Sequence, residues 1–191
     1  AYDNNEGVVG VYPGVDMHIV KIFNDNGQWT YASDLIDAIT QCQDAGSNVV
    51  NMSLGGGSSS TTERNAMQSF TDAGMLLVAA AGNDGNSAKS YPASYDAVMS
   101  VAAVDSNENR ASYSQYNDQV EIAAPGSAVQ STYPTNTYAS LSGTSMATPH
   151  VAGGAALVWS YFPQCSNNQI RSALNATAKD KGSVGRDNFY G

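Results

Sequence analysis

Cationic residues are scarce in this chain: 8 Lys and Arg stand against 17 Asp and Glu in 191 residues, a formal net charge of -9. Nucleic-acid binding wants a basic face, so this balance argues against a nucleic-acid partner. Charge of either sign is sparse, at 13% of residues, whereas 42% are hydrophobic. The chain is therefore no solvated acidic tail and has the apolar content to bury a core. No apolar run approaches the roughly 18–20 residues that a membrane helix needs, so no membrane partner is expected. A secretory leader is not visible either. The chain opens on AYDNNEGVVGV and reads as cut from something longer. Cysteine is limited to Cys42 and Cys165, which make no metal-ligand spacing and argue against a zinc site. They can pair with each other, pair with other parts of a longer chain, or stay free. Histidine is limited to His18 and His150, which matters for any chemistry that needs a base near neutral pH.

What is present is an alternation of short apolar runs and helical patterns. HIVKIF at 18–23 is rich in strand formers. Leu35, Ile36, Ile39 and Cys42 recur at helical spacing within 34–46, with Gly46 as a stop. NVVNMSL at 48–54 reads as a buried strand, broken by Gly55, Gly56 and Gly57. A second helix is expected over 61–73, stopped by Gly74. Strands are expected at 75–81, 97–104 and 119–124, and helices at about 144–161 and 167–177. Strand–helix alternation with apolar residues at nearly every strand position predicts an α/β fold, a parallel sheet flanked by helices on both faces. Ligands in such sheets bind beyond the carboxyl ends of the strands. The loops to watch follow Ser53 and Ala81 and lead into Ser145. There is no internal repeat and no linker, so 1–191 reads as part of a single domain.

The strongest motif is LSGTSMATPHVAGGAAL at 141–157. Gly143 permits a tight backbone, and Thr144 is a good N-cap, so a helix is expected to start at Ser145. A serine there lies beside free N–H groups and the positive end of the helix dipole, where an oxyanion is stabilised. Pro149 breaks a local rule, because an interior proline removes an N–H and crowds the preceding turn. Such departures cluster at functional sites. The motif is not the nucleophile elbow of α/β-hydrolases, which needs glycine two residues after the serine, where this chain has Ala147.

GTSMATPHVAG resembles the serine motif of the subtilases. NMSLGGG at 51–57 is similar to their cleft-lining strand and loop. LVAAAGNDG at 77–85 is similar to the segment carrying their oxyanion asparagine. The resemblance covers essentially the whole chain. It implies a subtilisin-like three-layer fold, incomplete at both ends, and a secreted, extracellular serine endopeptidase. It implies Ser145 as nucleophile and Asn83 as side-chain donor to the oxyanion. Ser53, Leu54 and Gly55 would form one wall of the primary specificity pocket, and Ala80, Ala81 and Gly82 the other. It also implies structural calcium, held through Tyr2, Asn4, Glu6 and Val8. A weaker cation site would use carbonyls of Ala93, Tyr95 and Val98. Hard cations prefer such oxygen ligands.

A serine nucleophile needs a base within hydrogen-bond reach. His150, five residues beyond Ser145 on one helix, points roughly 140° away. His18 is expected in a strand, exposed and without a role. The family's aspartate and histidine blocks, of the type DTG and HGTHVAG, do not occur here. The resemblance therefore implies a partial catalytic domain, the nucleophile half, whose partners are a protein or peptide substrate and a missing N-terminal catalytic segment. The competing reading is a non-catalytic fragment that binds peptides or a partner through the cleft. Asn51 and Asn175 each begin a glycosylation sequon; the first is dismissed because it falls in an expected buried strand.

Overall fold

The computed structural model describes residues 3–27 and 32–191. Four strands, β1 (Val49–Met52), β2 (Leu76–Ala80), β3 (Val98–Val104) and β4 (Val120–Pro125), form one parallel sheet in chain order. Every residue of β2 is buried. Its side chains alternate between the two faces, as strand geometry requires. Leu77 and Ala79 join one core with Leu35 and Ile39 of α1 (Ala32–Asp44) and Met67 and Phe70 of α2 (Thr61–Asp72). Leu76 and Val78 join the other core with Val151 and Ala155 of α3 (Thr144–Tyr161) and Ile170 of α4 (Asn167–Thr177). The result is the expected three-layer arrangement, with a helix pair on each face.

Local chemistry sets the element ends. The Ser60 hydroxyl accepts the Glu63 N–H and caps α2, and Gly74, at a φ of +100°, ends it. A reciprocal Ser166–Gln169 capping box starts α4. Helix α3 is apolar on most sides, and Ala147, Ala152 and Ala155 let it lie close against the sheet. Its cap differs from the expectation. The cap residue is Gly143, with no side-chain bond, and Thr144 is the first helical residue. Thr144 is unexposed because its hydroxyl turns inward to another loop rather than to its own helix.

Other departures have physical causes. HIVKIF at 18–23 forms no strand, because strand formers without a partner's N–H and C=O groups have no ladder to join. His18 is exposed there. Loops, not helices, carry the chain from β2 to β3 and from β3 to β4. An antiparallel hairpin of β5 (Val129–Tyr133) and β6 (Thr137–Leu141) precedes α3. Its turn places Thr135 and Asn136 at positive φ, and nothing in PTN announces that as a glycine would. Asn51 lies on β1 as expected but is exposed, not buried. Cys42 and Cys165 are free and pack against the cores on opposite faces.

One buried acid stands out in the α1–α2 layer. Glu63 is 3% exposed and accepts a 2.6 Å hydrogen bond from the Tyr95 hydroxyl. Burial pushes its carboxyl above the usual range, with the Tyr95 bond opposing. Burial, together with the same bond, pushes the Tyr95 phenol up to about 12. The Tyr95 hydroxyl also receives the Ser60 N–H, which ties this pair to the start of α2.

Candidate active site

The three loops singled out in the sequence converge beyond the carboxyl ends of β1 and β2. Ser145 follows Thr144 in the first turn of α3 and is half-buried. Its hydroxyl donates to the Ser53 carbonyl at 3.2 Å, and the Ser53 hydroxyl donates to the Ser145 carbonyl at 2.8 Å. The Ser145 N–H makes no hydrogen bond among the described residues, as expected of a first-turn donor.

Asn83 stands at the end of β2's loop with a fixed amide. Its Oδ1 accepts the Thr144 N–H at 2.8 Å and the Thr144 hydroxyl at 2.9 Å. A backbone N–H can only donate, so the atom facing it must be the oxygen. That leaves Nδ2 without a hydrogen-bond partner among the described residues, and with the unbonded Ser145 N–H it is a second donor of the kind a developing oxyanion takes. Gly143 packs beside this amide: a Cβ there would stand 3.5 Å from Asn83 Nδ2, an ordinary contact. The Thr144 hydroxyl also accepts the Gly82 N–H at 3.2 Å. Thr144 thus joins the asparagine loop to the helix that bears the serine. Sequence reading assigned it a cap and missed this role, which its place next to Ser145 alone could have signalled.

The asparagine loop is held from its other side as well. Gly85 N–H donates to Tyr113 O, and Gln115 N–H donates to Gly82 O. The side chains of Gln115 and Asn117 both donate to Ala88 O, at 2.6 and 3.0 Å. Gly82 sits at a φ of +112°, and a Cβ there would overlap Gln115 Oε1. No sequence signal marked Gln115 or Asn117, because their partners lie 27 and 29 residues away.

The other expected site residues are placed as follows. Ser53, Leu54 and Gly55 follow β1, and Gly56 pairs with Tyr91 in an antiparallel bridge beside them. Ala80 and Ala81 are 4% and 2% exposed, so little of either side chain meets solvent, whereas Gly82 is half-buried. His150 Nδ1 bonds to the Met146 carbonyl at 2.8 Å, within its own helix. Neither histidine hydrogen-bonds to Ser145 among the described residues.

Tyr2 lies outside the described residues. Asn4 Oδ1 accepts the Glu6 N–H, which closes a small turn with Val8 following. Calcium takes six to eight oxygens, and these donors alone do not complete a cage. At the second candidate cation site, Ala93 and Tyr95 are buried, the Tyr95 carbonyl accepts the Val98 N–H, and the Val98 carbonyl accepts Arg171.

A groove of about 970 Å³ lies away from Ser145. It runs between β1, α1 and the segment 16–20, and Leu35, Ile39, Met52 and Trp159 contribute its apolar wall. Among the described residues, strand β1 has a strand neighbour on one side only. Met17 and Ile19 beside the groove are 72% and 79% exposed.

A serine at a helix N-terminus, beside a fixed carboxamide donor and beyond parallel strands, is the layout of a serine hydrolase. The chain belongs to the subtilase family: the family's sequence model, described as "Subtilase family", matches residues 1–191. It is 47% identical over 194 residues to Subtilisin DY of Bacillus licheniformis, covering 100% of this chain and 69% of the relative. It is 50% identical over 183 residues to Thermostable alkaline protease of Halalkalibacterium halodurans, covering 96% of this chain and 50% of the relative. Among solved structures it matches the psychrophilic subtilisin-like protease Apa1 from the Antarctic psychrotroph Pseudoalteromonas sp. AS-11. That match has a TM-score of 0.92 at 34% identity, over 100% of this chain and 78% of the other.

Proposed function

We propose that this chain is the nucleophile-bearing part of a serine endopeptidase that hydrolyses peptide bonds through an acyl-enzyme on Ser145. The observation that carries this reading is the fixed orientation of Asn83, whose Oδ1 is held by the N–H and hydroxyl of Thr144, the residue before Ser145, so that Nδ2 is the donor left over. In the proposed reaction, the Ser145 oxygen attacks the scissile carbonyl while its proton passes to a general base. The oxyanion is held by Asn83 Nδ2 and the Ser145 N–H. Collapse expels the amine, which takes that proton, and water then hydrolyses the ester by the reverse sequence.

The base is proposed to be a histidine, oriented by an aspartate, on a catalytic segment outside these residues. The apolar groove along the edge of β1, unpaired among the described residues, supports such a segment, because an edge strand offers unpaired N–H and C=O groups to another strand and exposed apolar surface is normally covered. Ser53–Gly55 and Ala80–Gly82 would line the primary pocket for an extended protein or peptide substrate, with a preference for large hydrophobic side chains. Structural calcium at Asn4, Glu6 and Val8 remains a proposal that requires further donors and has no part in the chemistry. Secretion is proposed from the family, and no described helix is long and apolar enough to cross a membrane.

A second reading is favoured by one observation: the Ser145 hydroxyl donates to Ser53 O and has no base in reach among the described residues. On that reading the chain binds peptides without cutting them. A fluorophosphonate probe separates the two. Labelling at Ser145 in the full-length protein, absent from the isolated chain and from Ser145→Ala, supports the peptidase. An unlabelled full-length protein overturns it.

A further inference from the structure

Pro149 creates a specific vacancy. In an α-helix the carbonyl of residue 145 receives the N–H of residue 149, and proline has none. The orphaned group is therefore the carbonyl of the proposed nucleophile itself. Ser53 Oγ fills the position, donating to Ser145 O at 2.8 Å. A carbonyl oxygen only accepts, so the Ser53 hydroxyl is the donor, and a third residue satisfies that hydroxyl's acceptor side. Asn51 Nδ2 donates to Ser53 Oγ at 3.0 Å, since an amide nitrogen can only donate. The contact is reciprocal, because the Ser53 carbonyl accepts the Ser145 hydroxyl.

We propose that Ser53 is a positioning residue for the Ser145 nucleophile, its hydroxyl replacing the helix hydrogen bond that Pro149 removes and so locking the first turn of α3 to the carboxyl end of β1. This rests on the peptidase reading and adds to it. The proline and the serine form one device. With an N–H at 149, the Ser145 carbonyl would belong to the helix ladder, and its link to the cleft strand would be optional. Without it, the nucleophile's main chain is held by the same residue that starts the cleft wall. Asn51 supports the device from the strand. Pro149 is exposed, so replacing it does not repack the core.

The test is a double-mutant cycle in the full-length protein, read as the acylation rate with a chromogenic peptide substrate and as separate kcat and KM. Ser53→Ala leaves the Ser145 carbonyl without a donor and is expected to lower kcat about tenfold, with KM changed less than threefold. Ser53→Thr, which keeps the hydroxyl, is expected to recover kcat to within about threefold. The effect of Ser53→Ala is expected to shrink to less than about twofold when Pro149→Ala restores the N–H. Amide exchange at residue 149 supplies a readout independent of activity. Protection there should be greater in Ser53→Ala/Pro149→Ala than in Pro149→Ala, because the carbonyl then has one donor instead of two. A Ser53→Ala effect of equal size in both backgrounds, together with unchanged protection at 149, overturns the proposal. If the parent protein forms no acyl-enzyme, the peptidase reading fails, and exchange at 149 still decides the hydrogen-bond device.

Discussion

Thr144 gives the sharpest quantitative prediction. Its side chain is unexposed, and its hydroxyl accepts from Gly82 N–H while donating to Asn83 Oδ1. Thr144→Val keeps the volume and removes both bonds. The Gly82 N–H then loses its acceptor, at a cost of about 1–3 kcal/mol for a buried donor. Asn83 Oδ1 keeps the Thr144 N–H, so that loss adds at most about 1 kcal/mol. The expected destabilisation is about 1–4 kcal/mol, measured as a shift of the urea midpoint at constant slope. The amide of Asn83 stays oriented by the remaining backbone bond. Activity should accordingly fall modestly, by about three- to tenfold in kcat, while Asn83→Ala, which removes the Nδ2 donor, falls much further. The two variants assayed side by side on one peptide substrate check this. A Thr144→Val enzyme as stable as the parent, or one as inactive as Asn83→Ala, would refute the reasoning that separates the donor from the group that aims it.

Four more outcomes are expected. Gln115→Ala should lose about 1–2 kcal/mol and speed amide exchange in the 83–90 loop, because the Ala88 carbonyl loses one of its two side-chain donors. Gly82→Ala should be destabilised by more than about 2 kcal/mol in thermal melts and only partly rescued by Gln115→Ala, since removing the overlap leaves the strained φ of +112°. Arg171→Ala should cost about 1–3 kcal/mol in denaturant titrations, because it leaves the half-buried Glu121 carboxylate on β4 with Asn175 alone. Tyr95 should keep its proton until about pH 12 in ultraviolet difference titration, while an unperturbed phenol ionises near pH 10. The sign follows from linkage: the folded state holds this proton more tightly, so its contribution is complete below pH 10 and lost as pH rises through 12. Glu63, also raised, contributes in the same sense at lower pH, its share being lost as pH rises above the ordinary carboxylate range.

Much of the fold was legible in order along the chain. The apolar runs at 48–54, 75–81 and 97–104 became β1 to β3, each trimmed by one to three residues, and the run at 119–124 became β4, shifted by one residue. The expected helices at 144–161 and 167–177 became α3 and α4. Periodicity reports burial, and these elements are buried on one face or two. HIVKIF has the same local signature and is no strand, because propensity supplies no partner. The hairpin β5–β6 escaped notice because its strands are largely exposed and carry little apolar alternation.

The sequence by itself determined the family, the serine at the start of a helix, and an asparagine in a loop beyond a strand. Those are properties of contiguous residues, set by motif and period. Tertiary structure decided what aims them. Thr144 orients Asn83 across 61 residues, Ser53 reaches Ser145 across 92, and Gln115 grips Ala88 across 27. None of these pairs shares a helix or a hairpin, so no local spacing encodes them. They meet because parallel strands bring their carboxyl ends to one edge of the sheet, and buried donors and acceptors there must find partners or cost the fold stability.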